Sequence, residues 1–195
     1  MLATQMSVAF YGHVRQYHNI KAEIDANLKE VLESGQYVLG PMLKRFEQEL
    51  AEFHGTKYAI GVGNGTDALW LTFKALGIGP GDECITTTNT FFATAEAIWI
   101  TGATAVFVDS DPKTNCIDPA MIEAAITPRT KALVPVHLYG QCADMKAIRK
   151  IADRHHEDAI GSIVEKVDVG ETAEVGHRRD EAGQAPYRRR LAGRA

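Results

Sequence analysis

Apolar residues recur at helical spacing twice near the start of the chain. Ile20, Ile24, Leu28, Val31 and Leu32 fall on one face of a helix predicted over 20–34, which Gly35 can close. A second helix starts at Pro41, a favoured first-turn residue, and carries Leu43, Phe46, Leu50 and Phe53 inward until Gly55 ends it. Residues 36–41 form an extended link. From Tyr58 to Val62 a short apolar run reads as a strand. From Thr66 the spacing is helical again, with Leu69, Phe73 and Leu76 on one face. After the turn at Gly79-Pro80-Gly81-Asp82 a regular alternation follows. Strands are predicted over 83–87, 103–108 and 130–136. Helices are predicted from Thr90 or Phe91 to about Thr101, from Asp118 to Ile126 with Pro119 at the start, and from Asp144 to about His155. Strands separated by helices of this length imply βαβ units and a mainly parallel sheet covered on both faces, a three-layer α/β fold. Ligands of such sheets sit beyond the carboxyl ends of the strands. The turns there are 63–66, 87–92 and 137–141.

Composition narrows the picture only a little. The chain has 195 residues, 45% apolar and 24% charged, and reads as one soluble globular domain or a large piece of a bigger one. A net charge of −4 argues against a general nucleic-acid binder. No apolar run is long enough for a bilayer, and the N-terminus lacks a secretory layout. Cys84, Cys116 and Cys142 are odd in number and far apart, which points to reduced thiols in the cytoplasm and to neither a disulfide framework nor a metal site.

Candidate chemistry concentrates in the run Gly61-Val-Gly63-Asn-Gly65-Thr66, a glycine turn emptying into a helix. The first amides of a helix have no intrahelical partners, and the helix dipole adds partial positive charge there. Such an end suits phosphate, although an ordinary βα turn has the same glycines. A dinucleotide fingerprint fits poorly, because Thr66 stands where its third glycine belongs. A P-loop fits no better, because no lysine lies between Lys57 and Lys74. The second turn sets Phe91 and Phe92 among five threonine hydroxyls. Either a ring stacks on a flat heteroaromatic ligand, or both rings are core and the threonines are caps.

Several motifs occur in a fixed order: Leu39-Gly-Pro41, Gly63-Asn-Gly-Thr-Asp-Ala-Leu69, Leu76-Gly-Ile-Gly-Pro-Gly-Asp-Glu83, Thr90-Phe-Phe-Ala-Thr94, Gly102-Ala-Thr-Ala-Val-Phe-Val-Asp109, Ile126-Thr-Pro-Arg-Thr-Lys131 and Pro135-Val-His-Leu-Tyr-Gly140. Together, from about Val8 to His155, they resemble the N-terminal part of the DegT/DnrJ/StrS family of sugar aminotransferases. The resemblance implies part of the large domain of a fold-type-I transferase dependent on pyridoxal 5'-phosphate. It also implies a homodimer that moves an amino group, commonly from glutamate, to a nucleotide-linked keto sugar. Gly65 and Thr66 match the family's phosphate-binding pair, and Phe91 matches the aromatic that stacks on the pyridine ring. Asp67 is expected to turn away from a phosphate or to cap its helix. His137 and Tyr139 receive no role.

The motif match ends near His155. The family continues with an apolar strand, an Glu-Asp-Ala motif whose aspartate pairs with the pyridine nitrogen, a phosphate-binding serine and the Schiff-base lysine. Here Asp158 matches that aspartate in local letters without the strand, and Lys166 lies in a foreign context. Residues 1–156 therefore read as a partial aminotransferase domain. Residues 157–195, with Arg178, Arg179, Arg188, Arg189, Arg190 and Arg194, read as a disordered or frameshifted tail. No catalytic residue is assigned. Three readings follow: the N-terminal part of an aminotransferase, truncated and inactive by itself; a dead fragment that dimerises or binds phosphate; or a binding protein for a phosphorylated ligand. A sheet cut off from further strands is expected to self-associate.

Overall fold

The computed structural model describes residues 12–155. The chain divides into two units at Gly61 and Val62. In the first, α1 (His13–Ser34) and α2 (Pro41–His54) each end on a left-handed glycine, Gly35 and Gly55. α1 begins seven residues before the predicted start and breaks helical geometry at Ile20 (φ −122°). The apolar period marks only the portion beyond that break. The earlier turns hold through Gln16 N–H donating to Gly12 C=O and the side-chain group of Tyr17, Lys21 and Asp25. Pro41 stands at the first turn of α2 as expected, and Leu43 and Leu50 are half-buried. Phe46 and Phe53 remain exposed, contrary to the inward placement. An apolar stripe is buried only where other residues cover it, and the described residues cover this one only in part, at Leu43 and Leu50.

Residues 58–62 are extended but form no strand, a second departure from the sequence reading. A strand exists through ladder bonds to a neighbour, and no described strand pairs with this run. Ile60 is accordingly 82% exposed. The segment is tied to its own unit by the Gly61 N–H, which donates to the Glu47 carboxylate at 2.7 Å.

The second unit is the expected three-layer arrangement. In chain order it contains α3 (Gly65–Ala75), β1 (Glu83–Thr87), α4 (Phe92–Ile100), β2 (Thr104–Val108), α5 (Pro119–Ala125), β3 (Thr130–Val134) and α6 (Met145–Arg154). The sheet order is β2-β1-β3, with both pairings parallel. β3 stops two residues short of the prediction, because Pro135 has no amide N–H to give a ladder. Alternation along the strands feeds two cores. Ile85 and Leu133 meet Ile122, Ile148 and Ile151 of α5 and α6 on one face. Cys84, Ala132 and Val134 meet Phe73, Ala97 and Ile98 of α3 and α4 on the other. The Cys84 thiol is pushed up to about 12 by burial, so it serves as a small apolar filler and not as a nucleophile. No described helix is long and apolar enough to cross a membrane.

The order 2-1-3 makes the winding reverse at β1. The connection leaving β1 runs over the α3/α4 face, and those leaving β2 and β3 run over the other. The carboxyl end of β1 is therefore the switch point, the place where sheets of this kind take their ligands. At the opposite edge, buried Glu83 starts β1 and accepts hydrogen bonds from the Thr127 hydroxyl and the Arg129 guanidinium. This group pins β1 to the turn before β3, where the register shifts between Glu83 and Cys84.

The Thr127 hydroxyl and then Arg129 hold the Glu83 carboxyl below its ordinary range. A depressed folded-state pKa adds stability above the unfolded value, which is lost as pH falls through the folded one. Asp111, held down by the amides of Lys113 and Thr114, acts in the same direction. In acid-unfolding titrations, Glu83→Gln should lower stability at neutral pH and flatten the acid limb without abolishing it. An acid limb identical to wild type contradicts this role.

Candidate functional site

α3 and α4 each lead back from the carboxyl edge of the sheet, so both N-termini lie at the edge where the switch point opens. Asn64, extended at φ −166°, is the N-cap of α3. Its side-chain oxygen accepts from the Asp67 N–H at 2.9 Å, and its C=O accepts from Ala68 N–H. Asparagine before a helical run is a sequence signal for this cap, and the sequence reading passed over it. Among the described residues, the amides of Gly65 and Thr66 have no partner, as expected for the first turn of a helix. Gly65 is exposed with open space where a side chain would stand, and Thr66 is half-buried.

Asp67 neither caps α3 nor leaves the turn. Its Oδ1 accepts from the Trp70 indole N–H and its Oδ2 from the Asn64 amide, both at 3.0 Å. Oδ2 stands 2.8 Å from where a Cβ on Gly63 would fall, so the turn requires glycine there. Two donors thus hold the carboxylate against Gly63 and leave the next two amides open.

At the second turn, Phe91 takes the N-cap position of α4 without a side-chain cap bond, and α4 starts at Phe92. Phe91 is 79% exposed and Phe92 70%. The alternative in which both rings are core and the threonines cap the helix is therefore overturned. The Thr86 hydroxyl donates to Val134 C=O of β3, Thr90 pairs with Thr94 of α4, and Thr87 and Thr88 tie the loop after β1 to the loop after β2. Thr87 Oγ1 and Ser110 Oγ lie 2.8 Å apart, Thr88 Oγ1 donates to Asp109 at 3.4 Å, and Thr88 N–H donates to Val108 C=O at 3.0 Å. Asn89 Nδ2 reaches Asn115 C=O at 3.2 Å. Phe91 is presented to solvent by a loop that is itself fixed.

The third turn follows β3. His137 Nδ1 accepts from the Ala143 N–H at 3.0 Å, which places the ring proton of a neutral imidazole on Nε2. Because β3 pairs directly with β1, this turn and the loop that carries Phe91 leave the same edge of the sheet. Gly65, Thr66 and Phe91 all belong to the second unit, on helix ends at the same sheet edge. Asp158 and Lys166 lie outside the described residues.

Comparison with known proteins matches residues 18–176 to the DegT/DnrJ/EryC1/StrS aminotransferase family. The chain is 52% identical over 148 residues to the UDP-2-acetamido-2-deoxy-3-oxo-D-glucuronate aminotransferase of Pseudomonas aeruginosa, covering 76% of this chain and 41% of that protein. It is 51% identical to the dTDP-3-amino-3,4,6-trideoxy-alpha-D-glucose transaminase of Streptomyces venezuelae, covering 76% and 39%. The chain thus spans about two fifths of the length of these curated relatives. Among solved structures it resembles S. venezuelae DesV in complex with a ketimine intermediate, at TM-score 0.71 and 50% identity over 73% of this chain and 38% of that one. It also resembles NtdA from Bacillus subtilis with bound cofactor PMP, at TM-score 0.73 and 40% identity over 80% and 36%.

Removing the cap tests the local geometry. Asn64→Ala should destabilise the chain by about 0.5–2 kcal/mol in urea unfolding, the usual cost of a lost N-cap, and Asn64→Ser, which caps without setting a second carboxylate against Asp67, should restore most of it. No loss in the alanine variant would mean that the cap does not hold the turn.

Proposed function

This chain belongs to the DegT/DnrJ/EryC1/StrS aminotransferase family, and from that premise we propose that it carries the phosphate- and ring-binding part of a pyridoxal-phosphate-dependent aminotransferase of nucleotide-linked keto sugars. One observation carries the reading: two partnerless amides, Gly65 and Thr66, at a capped helix N-terminus on the carboxyl edge of the sheet. The fit of the residues present to the cofactor supports it. The amides and dipole of α3 suit a dianionic phosphate, Thr66 adds a hydroxyl donor, and open space at Gly65 admits close approach. The exposed face of Phe91, on its fixed loop, offers a stacking surface for a flat ring. When bound, pyridoxal phosphate supplies the electron sink for amino-group transfer. Each described residue named here binds or orients, and none holds or moves a proton.

The amino donor is proposed to be an amino acid such as glutamate, and the acceptor a keto sugar on a nucleoside diphosphate. Free cysteines support a cytoplasmic setting, and exposed Phe46, Phe53, Trp99 and Phe107 support self-association as a homodimer. The chain alone is proposed to be inactive. Transfer needs a lysine to move the proton and an acid to keep the pyridine nitrogen protonated, and no described residue is assigned either task. The division proposed at residue 156 stands against a family match that continues to residue 176. Reading the DNA beyond the His155 codon in all three frames decides it. An apolar strand, Glu-Asp-Ala and a later lysine in another frame are the expected result, and their absence from every frame contradicts a frameshift.

Borohydride reduction with pyridoxal phosphate, followed by peptide mass mapping, tests the chemistry. The expected result is no stoichiometric label on Lys166 and no turnover of an amino donor. Stoichiometric labelling of Lys166, with turnover that disappears in Lys166→Ala, contradicts the proposal of inactivity.

A further inference from the structure

Tyr139 sits in a backbone conformation that its side chain disfavours. Its φ is +57°, and Gly140 follows at +76°. Gln141 N–H donates to Leu138 C=O at 2.9 Å and closes a four-residue turn around the pair. Two successive left-handed central residues favour Asn, Asp or Gly at the first position, and tyrosine is among the poorer choices. Burial of the ring does not compensate, because Tyr139 is 82% exposed. The turn is nonetheless firmly held. His137 Nδ1 accepts the Ala143 N–H on its far side, and Gln141 C=O lies 3.8 Å from the Cys116 thiol. An observed outlier of this kind, held in place by its surroundings, licenses a hypothesis of function.

Position gives that hypothesis its content. The turn leaves the carboxyl end of β3, beside the end of β1 that leads to Phe91. Phe91, Phe92 and Tyr139 are thus three exposed aromatic residues on segments that follow the carboxyl ends of two paired strands, the edge where the cofactor is proposed to sit. A phenol combines an apolar face, suited to the C–H face of a pyranose, with a hydroxyl that can bond a sugar hydroxyl. We infer that Tyr139 is a substrate-binding residue that contacts the hexose of the nucleotide-linked sugar. This rests on the proposed function, since it takes the substrate class from there.

The test uses the full chain and two separate NMR titrations, one with pyridoxal phosphate and one with UDP-N-acetylglucosamine as a nucleotide-linked hexose. Tyr139→Asn relieves the backbone, so its melting temperature should rise, and a loss of binding cannot then be put down to misfolding. Its affinity for the nucleotide sugar should fall about threefold to tenfold, the range expected for one lost ring contact, with pyridoxal phosphate binding unchanged. Tyr139→Phe should retain most of the sugar affinity. Equal sugar affinity in wild type and Tyr139→Asn overturns the inference, as does a wild type that binds pyridoxal phosphate but not the sugar. Failure of wild type to bind pyridoxal phosphate counts against the functional reading instead, and the sugar titration still decides Tyr139.

Discussion

The second unit depends on one short strand that is enclosed on every side. β1 is five residues long and wholly buried. It is paired on both edges, with Cys84 facing one helical layer and Ile85 the other. Enclosure forces the strand to run straight from the Glu83 group to the loop beginning at Thr88. The same enclosure fixes the switch in winding direction, because helices that cover opposite faces must leave opposite sides of β1. The switch point at its carboxyl end follows from that packing and needs no special residue of its own.

What arrives at this edge is set by helix ends. The partial charge at a helix N-terminus acts over about one turn and is worth about 0.3–1 kcal/mol to an exposed anion. That alone would hold phosphate weakly. Its usefulness here comes from direction: Asn64 takes up the Asp67 amide, Asn64 and Trp70 take up the Asp67 carboxylate, and the Gly65 and Thr66 amides remain. The loop before α4 is also fixed locally, by the Thr87 and Thr88 hydroxyls bonded to the residues after β2 and the Thr90 hydroxyl to Thr94 of α4. The proposed phosphate seat and the proposed stacking ring thus rest on two separate local solutions brought to one edge by the sheet.

Much of this was legible in the sequence where burial and chain punctuation agree. β1 falls where a short run between a glycine-rich turn and a threonine cluster predicts it, and Phe73 lies at the centre of the face that its period marks. Reading failed where structure depends on a distant neighbour. Among the described residues, the run 58–62 has strand residues but no partner strand, and Phe46 and Phe53 have helical spacing but no covering layer. Asp67 does not cap α3, but two local donors, Asn64 and Trp70, engage its carboxylate and leave the Gly65 and Thr66 amides open. The left-handed turn at Tyr139 carries no sequence signature, since tyrosine is not a residue that such turns select.

The central claim is that the start of α3 is a phosphate seat, and amide NMR reads it directly. Inorganic phosphate, followed by pyridoxal phosphate, is added to the nitrogen-15-labelled chain at fixed ionic strength. The account predicts that the Gly65 and Thr66 amides show the largest saturable shifts with both ligands, and that the Phe91 ring responds to pyridoxal phosphate only. Shifts confined to residues away from the start of α3, with Gly65 and Thr66 unmoved, would contradict it.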